Sequence, residues 1–119
     1  MEILTQVFVA IVIIEHLLFF YVESFAWTSL GAKVFGKRPE GFYEMTKSLV
    51  SNQGVYNAFL AGGLIWGFFI TDHPWKLYVW VFFLSCVIIA GIWGAMTVSR
   101  KIFFVQAVPA IIALILVHL

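Results

Sequence analysis

The sequence is short of charged residues. Asp, Glu, Lys and Arg make up only 11% of its 119 residues, whereas hydrophobic residues make up 63%. A soluble domain has about 25% charged residues, because its surface must face water. The low charge therefore excludes a water-soluble globular protein. It indicates a chain solvated by lipid, and its length leaves room for one membrane domain.

Cysteine is nearly absent as well. The single cysteine, Cys86, excludes an internal disulfide and lies inside an apolar run. There it is most simply a small packing residue. The first apolar run is too long for the core of a signal peptide, and no small-residue cleavage site follows it. We therefore expect a membrane-spanning segment at this end of the sequence.

Four apolar runs of roughly the length that crosses a bilayer are present, at 3–25, 52–70, 75–96 and 102–119. The first connection, 26–51, is long and is predicted to be a water-exposed loop. Its second half, 41–50, could form a short amphipathic helix at the interface. The other connections, 71–74 and 97–101, are short, so consecutive helices should be antiparallel neighbours. We predict an all-α, four-helix transmembrane bundle that forms a single transmembrane domain.

Basic residues are distributed unevenly over the connections. The first and third connections would lie on one side of the bilayer, and the opposite side has only Lys76. Because cytoplasmic loops carry an excess of Lys and Arg, we predict that both basic connections are cytoplasmic and both termini outside. The basic residues of these two connections are Lys33, Lys37, Arg38, Lys47, Arg100 and Lys101.

The first apolar run contains three ionisable residues, Glu15, His16 and Glu23. Such groups cost roughly 2.5–3.5 kcal/mol each at the bilayer centre, so they usually face a partner or a wet cavity. At 100° per residue, His16, Glu23 and Trp27 fall within about 20° of one stripe. His16 and Glu23 are roughly 10 Å apart along the axis, so they cannot chelate one metal ion. No metal site and no cofactor are expected.

The second run begins with amides and a phenol. Gln53, Tyr56 and Asn57 share one helical face, and Asn52 lies one turn before Tyr56. Gln106 lies about one turn inside the fourth run. Counting depth along the runs predicts a polar pocket that opens to the cytoplasm and has its floor near the midplane. The candidate ligand- and proton-binding residues are Glu15, His16, Glu23, Trp27, Asn52, Gln53, Tyr56, Asn57 and Gln106.

Structural roles for several of these residues stay open. Asn52 and Gln53 could be helix-start residues that are wetted at the interface. Asn57 and Gln106 could make interhelical hydrogen bonds that only hold the bundle together. Pro109 is expected to introduce a kink.

Two stretches, EHLLFFYVESFAW in the first run and SNQGVYNAFLAGGLIW in the second, resemble a family of small bacterial membrane proteins, domain of unknown function 1304. The resemblance covers essentially the whole chain. It implies a four-helix, multi-pass protein of the bacterial cell membrane, and it implies no activity. The residues that match the motifs are Glu23, Phe25, Trp27, Asn52, Gln53, Gly54, Tyr56 and Asn57.

Three functions fit these residues. The first is proton-linked binding or transport of an amphiphilic or cationic small molecule at Glu15 or Glu23, in a homodimer because four helices enclose little volume. The second is a membrane enzyme for a lipid-like substrate, in which Glu15 and His16 exchange protons while Tyr56 and Asn57 position the substrate. The third is an accessory membrane subunit without chemistry of its own. The lipid bilayer is the expected partner in each case, and no nucleic acid is expected.

Overall fold

The chain is almost entirely helical. The structure is a computed structural model that describes residues 2–119, and the all-α class predicted from the sequence is confirmed for these residues. The helices are α1 (Glu2–Phe25), α2 (Ala32–Phe35), α3 (Phe42–Phe69), α4 (His73–Thr97), α5 (Arg100–Ile102) and α6 (Val108–Val117). Two π-helical turns, Trp27–Gly31 and Phe103–Ala107, precede α2 and α6.

The connection after α1 is not the long loop predicted for residues 26–51. It contains the π-helical turn and α2, and α3 has begun by Phe42. The irregular segment is confined between Gly36 and Gly41, which have φ angles of 81° and 80°. Such backbone is open to glycine and strained for other residues, so these two glycines fix where the helices stop and restart. Gly31, in contrast, stays helical.

The helix α3 is longer than the predicted run 52–70. Residues 41–50, predicted to form a separate interfacial helix, are instead the first turns of α3 from Phe42 onwards. No proline or positive-φ glycine separates the two stretches, so nothing in the backbone stops the helix at Asn52. At about 1.5 Å per residue, α3 is roughly 42 Å long and exceeds a hydrocarbon core of about 30 Å.

The two short connections are close to their predicted positions. The helix α4 begins at His73 with Pro74 in its first turn, where the missing N–H of proline costs nothing. Ser99 accepts a hydrogen bond from the Lys101 N–H at 3.2 Å and caps the following short helix.

The polypeptide forms two compact units, one from residues up to Glu15 together with Leu60–Leu119, the other from His16–Phe59. The first unit has an apolar core to which α1, α3, α4 and α6 all contribute. Glycines allow close contacts there: a Cβ on Gly91 would lie 2.8 Å from the Ala107 Cβ. The buried core residues are Val9, Val12, Ile13, Ala61, Leu64, Trp80, Leu84, Val87, Ala110 and Ala113.

Pro109 follows the π-helical turn Phe103–Ala107, and the kink expected at this proline stays a prediction. Proline has no N–H to donate to the carbonyl four residues earlier, and its ring collides with that carbonyl. A wider turn before the proline relieves the collision. This turn contains the buried side chain of Gln106.

Large apolar side chains cover much of the surface. On α4, Phe82, Ile89 and Trp93 are each more than 60% exposed. Soluble monomers rarely expose such extended apolar surface. Three helical stretches are long and apolar enough to cross a membrane: Glu2–Phe25, His73–Thr97 and Arg100–Val117. The helix α3 is not among them, because Asn52, Gln53 and Asn57 lower the hydropathy even of its more apolar end.

Candidate functional site

The carboxylate of Glu23 is held by two amides of α3. Its Oε1 accepts a hydrogen bond from Asn57 Nδ2 at 2.7 Å, and its Oε2 accepts one from Gln53 Nε2 at 3.1 Å. Gln53 and Asn57 are four residues apart, so they lie one above the other on the same helical face. The structure thus brings together three of the residues predicted from the sequence. Hydrogen bonds to a charged acceptor are the stronger kind.

Small residues allow α1 and α3 to approach closely beside this carboxylate. A Cβ on Gly54 would meet the Ser24 hydroxyl and would lie 3.0 Å from the Glu23 Cβ. The Ser24 Oγ donates to the Ser51 carbonyl at 2.7 Å. This contact fixes the register of the two helices, and with it the reach of Gln53 and Asn57 to Glu23.

Trp27 does not continue the stripe of His16 and Glu23. The helix α1 ends at Phe25, and Ala26 has φ −136° and ψ 27°, so the count of 100° per residue stops before Trp27. Trp27 is buried, and its Nε1 donates to the Thr46 Oγ1 at 2.9 Å. It therefore ties the connection to α3.

The ring of Trp27 organises the connection around itself. The centroids of Phe35 and Tyr43 each lie 5.3 Å from its ring. A Cβ on Gly31 would lie 2.6 Å from Trp27 Cε3, which explains a glycine where the π-helical turn meets α2. The Tyr43 hydroxyl donates to the Gly36 carbonyl at 2.5 Å.

Asn52 and Tyr56 are on the outer face of α3. Asn52 Nδ2 donates to the Tyr56 hydroxyl at 3.4 Å, as the spacing of one turn predicts. Both side chains are exposed, and Tyr56 is 58% exposed. They therefore form a polar edge beside the amides that bind Glu23, and they do not touch its carboxylate.

His16 is completely buried. Its ring packs edge-on against Phe19, with the centroids 5.1 Å apart. Phe19 belongs to the next turn of α1, so the imidazole has an aromatic neighbour on its own helix.

Glu15 and Gln106 belong to the other compact unit. Gln106 is buried in the π-helical turn. Glu15 is partly exposed, yet its Oε1 is buried and has no hydrogen-bond partner in the described part of the chain. An unsatisfied buried acceptor costs about 1–3 kcal/mol. Of the described side chains, this is the one with such an oxygen.

The two best-defined cavities do not surround these carboxylates. One is a shallow depression of about 400 Å³ in the unit His16–Phe59, lined by Ser24, Glu44 and Lys47 among others. The other, about 230 Å³, lies in the unit that contains α4 and α6. Among residues 2–119, no group of three or more His, Cys, Asp or Glu side chains is placed to hold a metal ion.

Sequence reasoning missed two acceptors of this region, the Thr46 hydroxyl and the Ser51 carbonyl. The Trp27–Thr46 and Ser24–Ser51 contacts join residues that are 19 and 27 positions apart. No local spacing indicates such pairs. If α3 had been predicted to begin at Phe42, Thr46 would have been on the same helix as Gln53 and Asn57, at the level where α1 ends.

Comparison with known proteins identifies relatives but no activity. The model of a family described as "Protein of unknown function (DUF1304)" matches residues 10–118. An uncharacterised protein, YpaA of Lactococcus lactis subsp. lactis (strain IL1403), is 32% identical over 117 residues, which cover 97% of each chain. No solved structure matches.

Proposed function

We propose that this chain, which belongs to the DUF1304 family of proteins of unknown function, is a small membrane protein that binds an amphiphilic cation in exchange for a proton at Glu15. The observation that carries the proposal is the buried Oε1 of Glu15, which lacks a donor among the described residues. A proton on the carboxyl or a cationic group of a ligand would supply the missing partner. Because both occupy the same oxygen, they compete.

The two carboxylates of α1 would then have different roles. Both oxygens of Glu23 are already engaged by Asn57 and Gln53, so its charge is largely satisfied within the protein. One carboxylate oxygen of Glu15 has no hydrogen-bond donor among the described residues. We therefore assign ligand and proton binding to Glu15 and a positioning role to Glu23, which holds α1 against α3.

The membrane arrangement is part of the same proposal. The three apolar stretches would span the bilayer, and the later part of α3, from about Asn52 to Phe69, would be the fourth span. The exposed Phe59, Trp66 and Phe69 support this, because side chains of this kind suit lipid. The first turns of α3 would then lie in the cytoplasm with the basic residues of the connection.

The pocket that opens to the cytoplasm, with its floor at Glu15 and His16, stays a prediction from sequence depth. A homodimer would enlarge the volume available to the ligand and is proposed with it.

Equilibrium dialysis of the purified protein with octylammonium, a lipophilic cation whose N–H groups can donate to the Glu15 oxygen, tests the proposal. Binding should be tighter at higher pH, because the cation competes with a proton for Glu15. The Glu15→Gln variant should lose both the binding and its pH dependence. Glu40→Gln, which removes an exposed carboxylate outside the helices, is the matched control and should behave as the wild type does.

Two results would overturn the proposal. Binding that is unchanged in Glu15→Gln would place the cation elsewhere. No binding of any lipophilic cation at any pH, with an intact helical protein, would favour the accessory subunit over a binding protein.

A further inference from the structure

A second cavity lies in the unit that contains α4 and α6. It has a volume of about 230 Å³ and is bounded by the first turns of α1, the first turns of α4 and the end of α6. None of the residues proposed above to bind the cation lines it. By the orientation predicted from the basic residues, this end of the helices faces away from the cytoplasm.

Lys76 is the distinctive residue of this cavity. Its ammonium lies 5.1 Å from the ring centroid of Trp80 and 5.9 Å from that of Phe68. Lys76 is partly buried and, within the described part of the chain, it makes no ion pair. Aromatic faces attract the charge but accept none of its three N–H groups in an ordinary hydrogen bond. The ammonium is therefore held in place with its donors available to an anionic oxygen.

Other titratable groups line the same cavity. Glu2 contributes a carboxylate from the start of α1, and His73 contributes an imidazole from the start of α4. Gln6 adds an amide, while Leu77 and Leu116 are apolar. A ligand with a single negative charge would suit Lys76 but would be opposed by Glu2. A group that carries both a phosphate and an ammonium would satisfy Lys76 and Glu2 together.

The size of the cavity limits the ligand further. Pockets that enclose a whole drug-sized molecule are about 300–1,000 Å³. A cavity of about 230 Å³ holds a small charged group and leaves the rest of the molecule outside. The outside here is the apolar helix surface, including the exposed Ile3 and Ile115. A charged headgroup with apolar tails matches both parts.

We propose that this cavity binds the headgroup of a zwitterionic phospholipid, phosphatidylethanolamine, with its phosphate at Lys76 and its primary ammonium at Glu2. The tails would lie along the exposed apolar surface of the helices. The phosphate accepts hydrogen bonds from the Lys76 ammonium, and the lipid ammonium donates to the Glu2 carboxylate. The lipid site is separate from Glu15, so the proposal of lipid binding and the proposal of cation binding can each be refuted without the other.

Native mass spectrometry of the full chain, released from detergent micelles, measures how much lipid stays bound. Short-chain phosphatidylethanolamine and phosphatidylglycerol are added separately. The wild type should retain phosphatidylethanolamine in preference to phosphatidylglycerol. Lys76→Gln should weaken its binding roughly tenfold or more, because a charge-assisted contact is lost. Lys76→Arg should keep most of it, and Lys101→Gln should bind as the wild type does.

Glu2→Gln tests the second half of the contact. It should reduce the preference for phosphatidylethanolamine over phosphatidylglycerol, because only the former carries an ammonium. Equal retention of the two lipids by the wild type, or full retention by Lys76→Gln, would overturn the proposal. Soluble phosphoethanolamine that displaces the lipid at equal concentration would also overturn it, since the ligand would then be a free solute.

Discussion

Glu15 and Glu23 lie in one apolar helix but differ in how their oxygens are satisfied. Glu23 has an amide donor on each oxygen, at 2.7 and 3.1 Å. Glu15 has a buried oxygen without a donor among the described residues. In an apolar environment this difference decides the role of each carboxylate. A carboxylate whose oxygens are hydrogen-bonded stabilises the fold, whereas one with an unsatisfied oxygen is stabilised by binding a proton or a ligand.

The contact at Gly54 leads to a prediction about stability. Gly54→Ala should destabilise the protein by about 1–3 kcal/mol, because the new Cβ would meet the Ser24 hydroxyl and push α1 from α3. Gly62→Ala is the matched control on the same helix, since nothing lies within 4 Å of its Cβ. It should be neutral or stabilising by up to about 1 kcal/mol. Unfolding by SDS titration measures both, and equal effects would contradict the described packing.

The hydrogen bond between Glu23 and Asn57 should be measurable as a coupling. A double-mutant cycle with Glu23→Ala and Asn57→Ala should give about 0.6–1.7 kcal/mol, the range for hydrogen bonds between membrane helices. The control cycle pairs Glu23→Ala with Asn52→Ala, because Asn52 binds Tyr56 instead. No coupling in the first cycle, or the same coupling in both, would show that the contact does not hold the helices.

At the scale of helices, apolar length predicted α1 and α4 to within a few residues. The predicted helix boundaries between α1 and α3 were wrong, because glycines decide there where a helix ends. Gly31 lies in the stretch predicted to be a loop but is helical and fits against the ring of Trp27, while Gly36 and Gly41 adopt positive φ and interrupt the helices. Whether a glycine ends a helix depends on its neighbours in space, which the sequence does not display.

Trp27 should control the order of the connection between α1 and α3. Trp27→Phe keeps an aromatic ring but removes the hydrogen bond to Thr46, which should cost about 0.5–1.5 kcal/mol. Proteolysis between Gly36 and Gly41 should become several-fold faster. Trp93→Phe, at an exposed position on α4, should leave the cleavage rate unchanged. Unchanged cleavage in Trp27→Phe would mean that the hydrogen bond does not order this connection.

At the scale of the whole molecule, composition was enough to predict an all-α chain with helices long enough to cross a membrane. The spacing of Gln53 and Asn57 predicted that they lie on the same face of one helix. Gln53 and Asn57 are 30 and 34 residues from Glu23 in the sequence. The sequence could place the three residues at a similar depth in the membrane, but it could not predict that they are in contact. The cavity beside Lys76 was not predicted. It is bounded by the starts of α1 and α4 and by the end of α6, and no sequence motif connects these three helix ends.

The number of membrane spans has a direct test. If residues 52–69 of α3 are a span, reporters fused to the two termini will be on the same side of the membrane, the outside. Three spans would put the termini on opposite sides. Fusions of alkaline phosphatase and green fluorescent protein distinguish the two, since each is active on one side only. Opposite sides would rule out the four-helix bundle.

The most direct test of the proposed proton exchange is the protonation of Glu15 itself. Difference infrared spectroscopy of the protein in nanodiscs, with Glu15→Gln as the reference, isolates the carboxyl band of this residue. Addition of octylammonium at fixed pH should remove the protonated carboxyl band and release a proton. A band that stays unchanged by the cation over the whole pH range in which carboxyls titrate would contradict the account.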